Sequence, residues 1–395
     1  MRCREIANNS SHVKEGFSMN HLLRKLESYS DVIVFGCGAA SIEILNMLVD
    51  HDSSKPIRFC DNYAKHRTHP TVEIVLPEEA VKRYPEALYI IGSALHCVEM
   101  TAQLSQLGVP DVNIVSDLSE ELTRFQKANA QKRKFIARRY LGNIDYRITE
   151  HCNLKCAGCL NFSNIANEKF TDFQVFERDM ARLSEILDGD ITSVQLFGGE
   201  PLLHPQVEEF ISYTRQLLPK SRVSILTNGI LLPTMRESFW LSLKSNETIL
   251  QISKYPIRLE MEHIRKKSEE HGVTMTIYEF PIDHWDKYVL DLEGKKNKAE
   301  SFAACPQANS SCVQLSNGKL YPCSIAAYAG HFNQKFRQAL SRTDEDSMDI
   351  HSNVTAQEIF RFLSEPVPFC RYCDMEKKTS KNQWKRSMQI ISEYL

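Results

Sequence analysis

Nowhere does this 395-residue chain carry an apolar run of the ~18 residues that a membrane-spanning helix needs, so no membrane association is expected. The opening MRCREIANNSSHVKEG lacks the apolar centre of a secretory signal, and a cytoplasmic location is the expectation. Net charge is equally scarce: 48 basic and 50 acidic side chains leave −2, too weak a field to recruit nucleic acid or anionic lipid. Fibrous and disordered classes are excluded by 42% hydrophobic and 25% charged residues, ordinary values for a globular chain whose length suggests two or three domains.

Cysteine, by contrast, is plentiful at twelve. In a long chain without a recognisable leader, thiols of this number point to reduced metal ligands rather than to disulfides. Thr149 to Cys159, TEHCNLKCAGC, places Cys152, Cys156 and Cys159 on one short loop at the spacing C-x3-C-x2-C. A structural zinc site asks for four protein ligands, whereas three thiolates leave one iron of a 4Fe-4S cluster open to a substrate or cofactor. A zinc or metal-storage loop is the alternative.

That spacing resembles the signature of the radical S-adenosylmethionine (radical SAM) enzymes. The resemblance extends to Gly198, Gly199 and Glu200 in SVQLFGGEPLLHP and to Thr227, Asn228 and Gly229 in VSILTNG. It implies a 4Fe-4S cluster whose open iron chelates the amino and carboxylate groups of S-adenosylmethionine, and reductive cleavage to a 5'-deoxyadenosyl radical that takes one hydrogen atom from the substrate. Gly198, Gly199 and Glu200 would receive the amino group, Asn228 and Ser253 the carboxylate and ribose, and a flavodoxin- or ferredoxin-type protein would supply the electron. The family often has an aromatic residue just before its third cysteine; here that position is Gly158, and Phe162 is a candidate to cover the adenine instead.

The expected fold class is α/β: an N-terminal Rossmann-like doubly wound domain, a partial parallel (β/α)6-type radical SAM barrel, and a small Cys-rich C-terminal extension. Residues 1–18 read as a loose tail and 19–118 as the first domain, in which the strand DVIVF runs into Gly36-Cys37-Gly38-Ala39-Ala40-Ser41 and a later strand ends at Asp61. Ser41 stands where a dinucleotide fingerprint has its third glycine, so a turn kept for backbone geometry is the simpler reading. The module also resembles those preceding sugar acyltransferases and some sugar methyltransferases. Residues 119–141 form a basic linker helix.

Residues 142–300 hold five alternating units, with strands near 144–148, 194–197, 223–226, 249–253 and 273–278. Every motif above falls at a C-terminal strand end, where parallel folds gather their sites.

Residues 301–395 carry Cys305, Cys323, Cys370 and Cys373, with Cys312 between the first two. The arrangement is similar to the Twitch or half-SPASM extension that holds one auxiliary 4Fe-4S cluster; zinc is the alternative. Its spacing looks like that of the dehydrogenases of aminoglycoside cyclitols, where removing one hydrogen atom leaves a radical whose second electron needs an acceptor. A sugar, cyclitol or nucleotide-sugar is therefore the expected substrate, either oxidised or epimerised. Cys312 is the candidate hydrogen donor for epimerisation, and Lys254 and Arg147 the candidate groups that acidify the reacting alcohol. Tyr146, Asn161, His204 and Tyr255 are further polar residues at or just beyond strand ends. A peptide or protein modifier and a non-catalytic iron-sulfur protein are the competing classes.

Overall fold

Val32-Ile33-Val34-Phe35 is apolar at every position, a pattern that only a sheet covered on both faces can bury. In the computed structural model this segment is β1 (Val32–Phe35), all of it buried. The structure describes residues 19–36, 41, 44–45, 47–48, 55–62, 64, 72–93, 97–116, 118, 141–280, 282–283, 285–309 and 313–395. The chain divides into two compact units, 1–136 and 137–395.

The first unit holds α1 (Met19–Glu27), β1, β2 (Ile57–Cys60), β3 (Ile74–Val75), α2 (Pro77–Arg83), β4 (Leu88–Ile91), α3 (Cys97–Gln106) and β5 (Ile114–Val115). The strands are parallel in the order β3-β2-β1-β4-β5, in which successive crossovers wind outward from β1 in two directions. Val32 and Val34 pack with Leu22, Leu26 and Ile44, while Ile33 and Phe35 pack with Ala80, Cys97 and Leu104, so both faces are indeed covered. Ser41 fills the space beside two glycines: a Cβ on Gly92 would lie 2.0 Å from its hydroxyl, which reaches the Gly92 carbonyl at 3.3 Å. A third glycine at 41 would leave that volume empty. Asp61 is buried just past β2, and residues 37–40 of the glycine turn lie outside the described residues, as do most of the basic segment 119–141 and the tail 1–18.

The second unit begins with β6 (Leu141–Thr149), followed by α4 (Phe173–Ile186), β7 (Ile191–Gly198), α5 (Val207–Leu217), β8 (Arg222–Thr227), α6 (Glu237–Ser245), β9 (Ile249–Lys254), α7 (Met261–His271) and β10 (Met275–Glu279). Asp172 starts α4 by accepting the amides of Gln174 and Val175, and Phe176, Met180 and Leu183 then form its buried stripe. These helices cover one face of five consecutive parallel strands through a core that includes Ile144, Tyr146, Leu196, Ile225 and Leu250.

A sixth strand does not join beside β10, where a continuing (β/α)6 repeat would put it. β11 (Trp285–Leu290) instead pairs antiparallel with β15 (Cys373–Asn382) as a separate ribbon. After α8 (Lys298–Ala304) and α9 (Pro306–Asn309), β12 (Val313–Ser316) adds parallel to β6 at the opposite edge, and β13 (Lys319–Tyr321) and β14 (Met348–Asp349) extend that edge antiparallel. The physical reason is polar: β12 carries Gln314 into register with Asp145, and its amide donates to that carboxylate at 2.9 Å. α10 (Ser324–Phe336) and α11 (Ala356–Phe362) complete the unit. Among the described residues no helix is long and apolar enough to cross a membrane.

Candidate metal centre

The cysteine loop leaves the C-terminal end of β6 and is held by two neighbouring strand ends. A Cβ on Gly199 would lie 1.9 Å from the His151 carbonyl oxygen, and one on Gly198 2.6 Å from that of Thr149. The glycines therefore let two backbones meet, and the meeting is fixed by amides of Gly199 to Thr149 (2.6 Å) and of Glu200 to His151 (3.0 Å). Glu200 has no exposed surface. Its carboxylate accepts the Thr227 hydroxyl at 2.6 Å and the amides of Asn228 at 2.9 Å and Leu202 at 3.1 Å, which ties the ends of β7 and β8 together. Burial outweighs those donors and pushes its pKa up to about 7. In the structure this triad builds the rim around the cysteine loop.

Asn228 reaches the loop itself: its Nδ2 donates to Asn153 Oδ1 at 2.8 Å and approaches Cys152 Sγ at 3.7 Å. Cys152 Sγ also accepts the Leu154 amide at 3.4 Å, and Cys156 Sγ accepts the Trp384 indole N–H at 3.2 Å. Burial, the Glu200 carboxylate and Cys159 push the Cys152 thiol up to about 11; burial and its two neighbouring cysteines raise Cys156 further. Thiols that disfavour one another's ionisation while receiving N–H donors suit a bound cationic cluster, which removes the repulsion and leaves the donors facing thiolate sulfur. Among the described residues no three His, Cys, Asp or Glu side chains converge on a point for a single ion. A cubane makes no such demand, since each thiolate serves a different iron.

Arg147 does not address the open rim. Its guanidinium is buried and donates to the carbonyls of Thr149 (3.3 Å), Asn161 (3.0 Å) and Glu150 and to Ser163 Oγ (2.9 Å), with Tyr328 stacked 4.2 Å away. It is a clamp on the loop, because a planar fork with several donors can gather carbonyls that the loop cannot pair internally. Glu150 is held down to about 2 despite its burial, by its hydrogen bond to His331 and the charge of Arg147. Tyr146 is likewise a core residue, edge-on to Phe176 at 4.6 Å. His204 is buried between Phe170 and Phe210, contacts the Thr171 carbonyl and accepts the Gln206 amide, so both ring nitrogens are used. Asn161 supplies its carbonyl to Arg147.

Ser253 and Lys254 do lie at the end of β9, Ser253 buried and Lys254 paired with Glu279 of β10. Tyr255 follows, stacked on Phe280 at 5.2 Å and edge-on to Trp285, its hydroxyl raised by burial and by proximity to all three loop cysteines. Cys312 lies outside the described residues.

Phe162, the candidate to cover the adenine, is a core residue. It is buried against Phe332 and Tyr394. The glycine at 158 has its own cause: φ is +63°, and a Cβ would meet the Glu393 carbonyl at 3.0 Å. Residues 384–394 occupy that side of the loop. Cys156 bridges Arg386, Ala157 N donates to Lys385 O at 3.0 Å, and Ser387 N donates to Lys155 O at 2.8 Å. Nothing in the spacing of cysteines or in strand periodicity announces this cover.

On the sheet face opposite α4–α7 polar side chains align, and Tyr328 of α10 donates to Gln314 there at 3.2 Å. Gln314, Asp145, Gln195 and Ser224 stand in one register across four neighbouring strands. Gln195 donates to Gln251 at 2.7 Å, which donates to the Tyr278 hydroxyl at 3.1 Å. The alternation Asn143, Asp145, Arg147 against Ile144, Tyr146, Ile148 carried this signal in the sequence.

Cys305, Cys323, Cys370 and Cys373 are brought together. Burial raises them, helped at Cys373 by the other three and at Cys323 by Cys305 and Cys370, while burial and Cys305 push Cys370 up to about 12. Cys323 also caps α10, its sulfur accepting the Ala326 amide at 3.5 Å. Four mutually repelling thiols are a donor set that a metal cluster satisfies.

Residues 146–309 match the Radical SAM superfamily. A GTP 3',8-cyclase of Syntrophomonas wolfei is 33% identical over 100 residues, 24% of this chain and 30% of that protein. Another, from Clostridium acetobutylicum, is 35% identical over 99 residues, with the same shares. The chain thus spans 30% of the length of these relatives. Among solved structures, BtrN in complex with AdoMet and 2-DOIA is 16% identical with a TM-score of 0.38, over 60% of this chain and 94% of that one. SuiB of Streptococcus suis bound to S-adenosylmethionine is 13% identical with a TM-score of 0.34, over 68% and 77%. The loop of Cys152, Cys156 and Cys159 lies within the segment 146–309 that matches the Radical SAM superfamily.

Proposed function

We propose that this chain is a radical SAM enzyme acting on a small polyhydroxylated substrate, a sugar, cyclitol or nucleotide-sugar, which it oxidises or epimerises. The observation that carries the reading is the polar row Gln314, Asp145, Gln195 and Ser224, with Tyr328 of α10 at its Gln314 end, on the face opposite α4–α7 of a sheet whose C-terminal rim bears the cysteine loop. Apolar side chains would fill such a face in a purely structural sheet, whereas buried amides and carboxylates orient hydroxyl groups.

Cys152, Cys156 and Cys159 would hold a 4Fe-4S cluster, and Cys305, Cys323, Cys370 and Cys373 an auxiliary one. When bound, these groups supply one-electron reduction of S-adenosylmethionine to a 5'-deoxyadenosyl radical and a sink for a second electron. The chain's own part is positional. Asn228 and Ser253 line the rim for the cofactor, Glu200 fixes the two strand ends that form it, and Lys254 is the rim cation for a reacting alcohol. Cys312 is the proposed hydrogen donor if the product is an epimer. The Rossmann-like module at 19–118 would serve a nucleotide-sugar or a protein partner, a flavodoxin or ferredoxin would be the reductant, and a cytoplasmic location fits these needs.

The test is a substrate panel under anaerobic, reducing conditions with S-adenosylmethionine, containing sugars, cyclitols, nucleotide-sugars, GTP and peptides. Loss of two hydrogens from a polyol marks oxidation, and solvent deuterium at carbon marks epimerisation. Turnover of GTP alone would favour the reaction of the named relatives, and turnover of a peptide alone would reject the polyol reading.

A further inference from the structure

Two of the chain's three tryptophans, Trp285 and Trp384, converge on the cysteine loop from segments remote in sequence. Trp285 donates to the Ala157 carbonyl at 3.0 Å and so braces the backbone. Trp384 does something different: its indole N–H points at the sulfur of Cys156 at 3.2 Å, within the range of a hydrogen bond to sulfur. The indole is held there from several sides. Its own amide donates to the Ile282 carbonyl at 2.7 Å, and residues 385–387 pair with the loop backbone at Lys155 and Ala157. Its ring leans on Tyr255 at 6.1 Å. Asn164, Glu393 and Tyr394 anchor the segment behind it: Tyr394 donates to Asn164 Oδ1 at 2.7 Å and Glu393 accepts the Met388 amide at 2.6 Å.

We propose that Trp384 is a positioning residue that sets the reduction potential of the cluster held by Cys156, through an indole N–H bond to its ligating sulfur. This rests on the reading that the loop holds a 4Fe-4S cluster. A donor at a thiolate withdraws electron density from it, and the more negative, reduced cluster gains more from that than the oxidised one. The bond therefore raises the potential.

The experiment uses the full chain, reconstituted anaerobically with iron and sulfide, with its tryptophans carrying nitrogen-15 at the indole position. Iron, sulfide and the electron paramagnetic resonance signal of the reduced protein come first; their absence defeats the cluster reading and, with it, the role of Trp384. With the signal present, pulsed resonance is expected to show an indole nitrogen coupled to the cluster, lost in Trp384→Phe and retained in Trp285→Phe. The midpoint potential of the first cluster is expected to fall in Trp384→Phe and to stay in place in Trp285→Phe. An uncoupled indole nitrogen in the unsubstituted protein overturns the proposal even if Trp384→Phe fails to hold iron. So does an unchanged potential in a Trp384→Phe protein with full iron.

Discussion

The Thr227 hydroxyl lies 2.6 Å from the Glu200 carboxylate, and the amide of the next residue, Asn228, lies 2.9 Å from its other oxygen, in a site closed to solvent. Strand ends β7 and β8 are thus joined by a side chain that, when ionised, only accepts. Glu200→Gln turns one of the two oxygens into a donor facing another donor. It is expected to cost about 1–3 kcal/mol of stability and to loosen Asn228 from the cysteine loop. Chemical denaturation and iron per chain check this; unchanged values in both would show the carboxylate is not the tie.

Arg147→Lys separates a clamp from a substrate contact. Lysine cannot serve the Thr149, Asn161 and Glu150 carbonyls and Ser163 together, so about 2–4 kcal/mol of stability is expected to be lost through unpaired buried acceptors. Thermal unfolding of the reconstituted protein should drop with loss of loop-bound iron. A rise in KM with an unchanged unfolding temperature would restore Arg147 to the substrate.

Asp145 titrates with a predictable sign. Burial raises it from an ordinary 3.8 to about 6, although the amides of Asn143 and Gln314 pull the other way. The folded chain thus keeps this proton where the unfolded chain releases it, so the contribution of Asp145 to stability declines as pH rises from about 3.8 to about 6 and is level above that. Asp145→Asn is expected to remove that slope. Unfolding temperatures of both proteins across this interval decide it, and parallel curves would contradict the assignment.

How far these features were legible depended on whether they were local. Strand alternation and the three- and four-residue stripe of Phe176, Met180 and Leu183 stand in the order of the letters, and the strands appear within a few residues of their expected ends. Glu200 and Asn228 were visible as motif members, but their coupling to each other was not, because it depends on β7 and β8 being neighbours. The edge position of β12 was hidden for the same reason: a four-residue strand carries too little pattern to choose between two edges, and the Asp145–Gln314 pair that decides it joins residues 169 positions apart. Arg147 reads as a functional charge at a strand end until the loop folds back over it. The cover by residues 384–394 depends on Gly158, whose missing side chain looked like a departure from a pattern and is instead room for the Glu393 carbonyl.

The second thiol group separates the two halves of the proposed chemistry. Cys370→Ser is expected to lower bound iron by roughly half, since each cubane carries four irons. Cleavage of S-adenosylmethionine should persist while oxidised product disappears. Iron analysis with product quantification reads both, and full oxidation by a protein lacking that iron would remove the auxiliary site from the mechanism.

The most direct measurement is the yield of 5'-deoxyadenosine from anaerobically reconstituted, reduced protein given S-adenosylmethionine, beside the Cys152→Ala, Cys156→Ala and Cys159→Ala variants. The account predicts accumulation in the unsubstituted chain and none in the three variants. A chain filled with iron and sulfide that leaves S-adenosylmethionine intact, or a Cys156→Ala protein that still cleaves it, would contradict it.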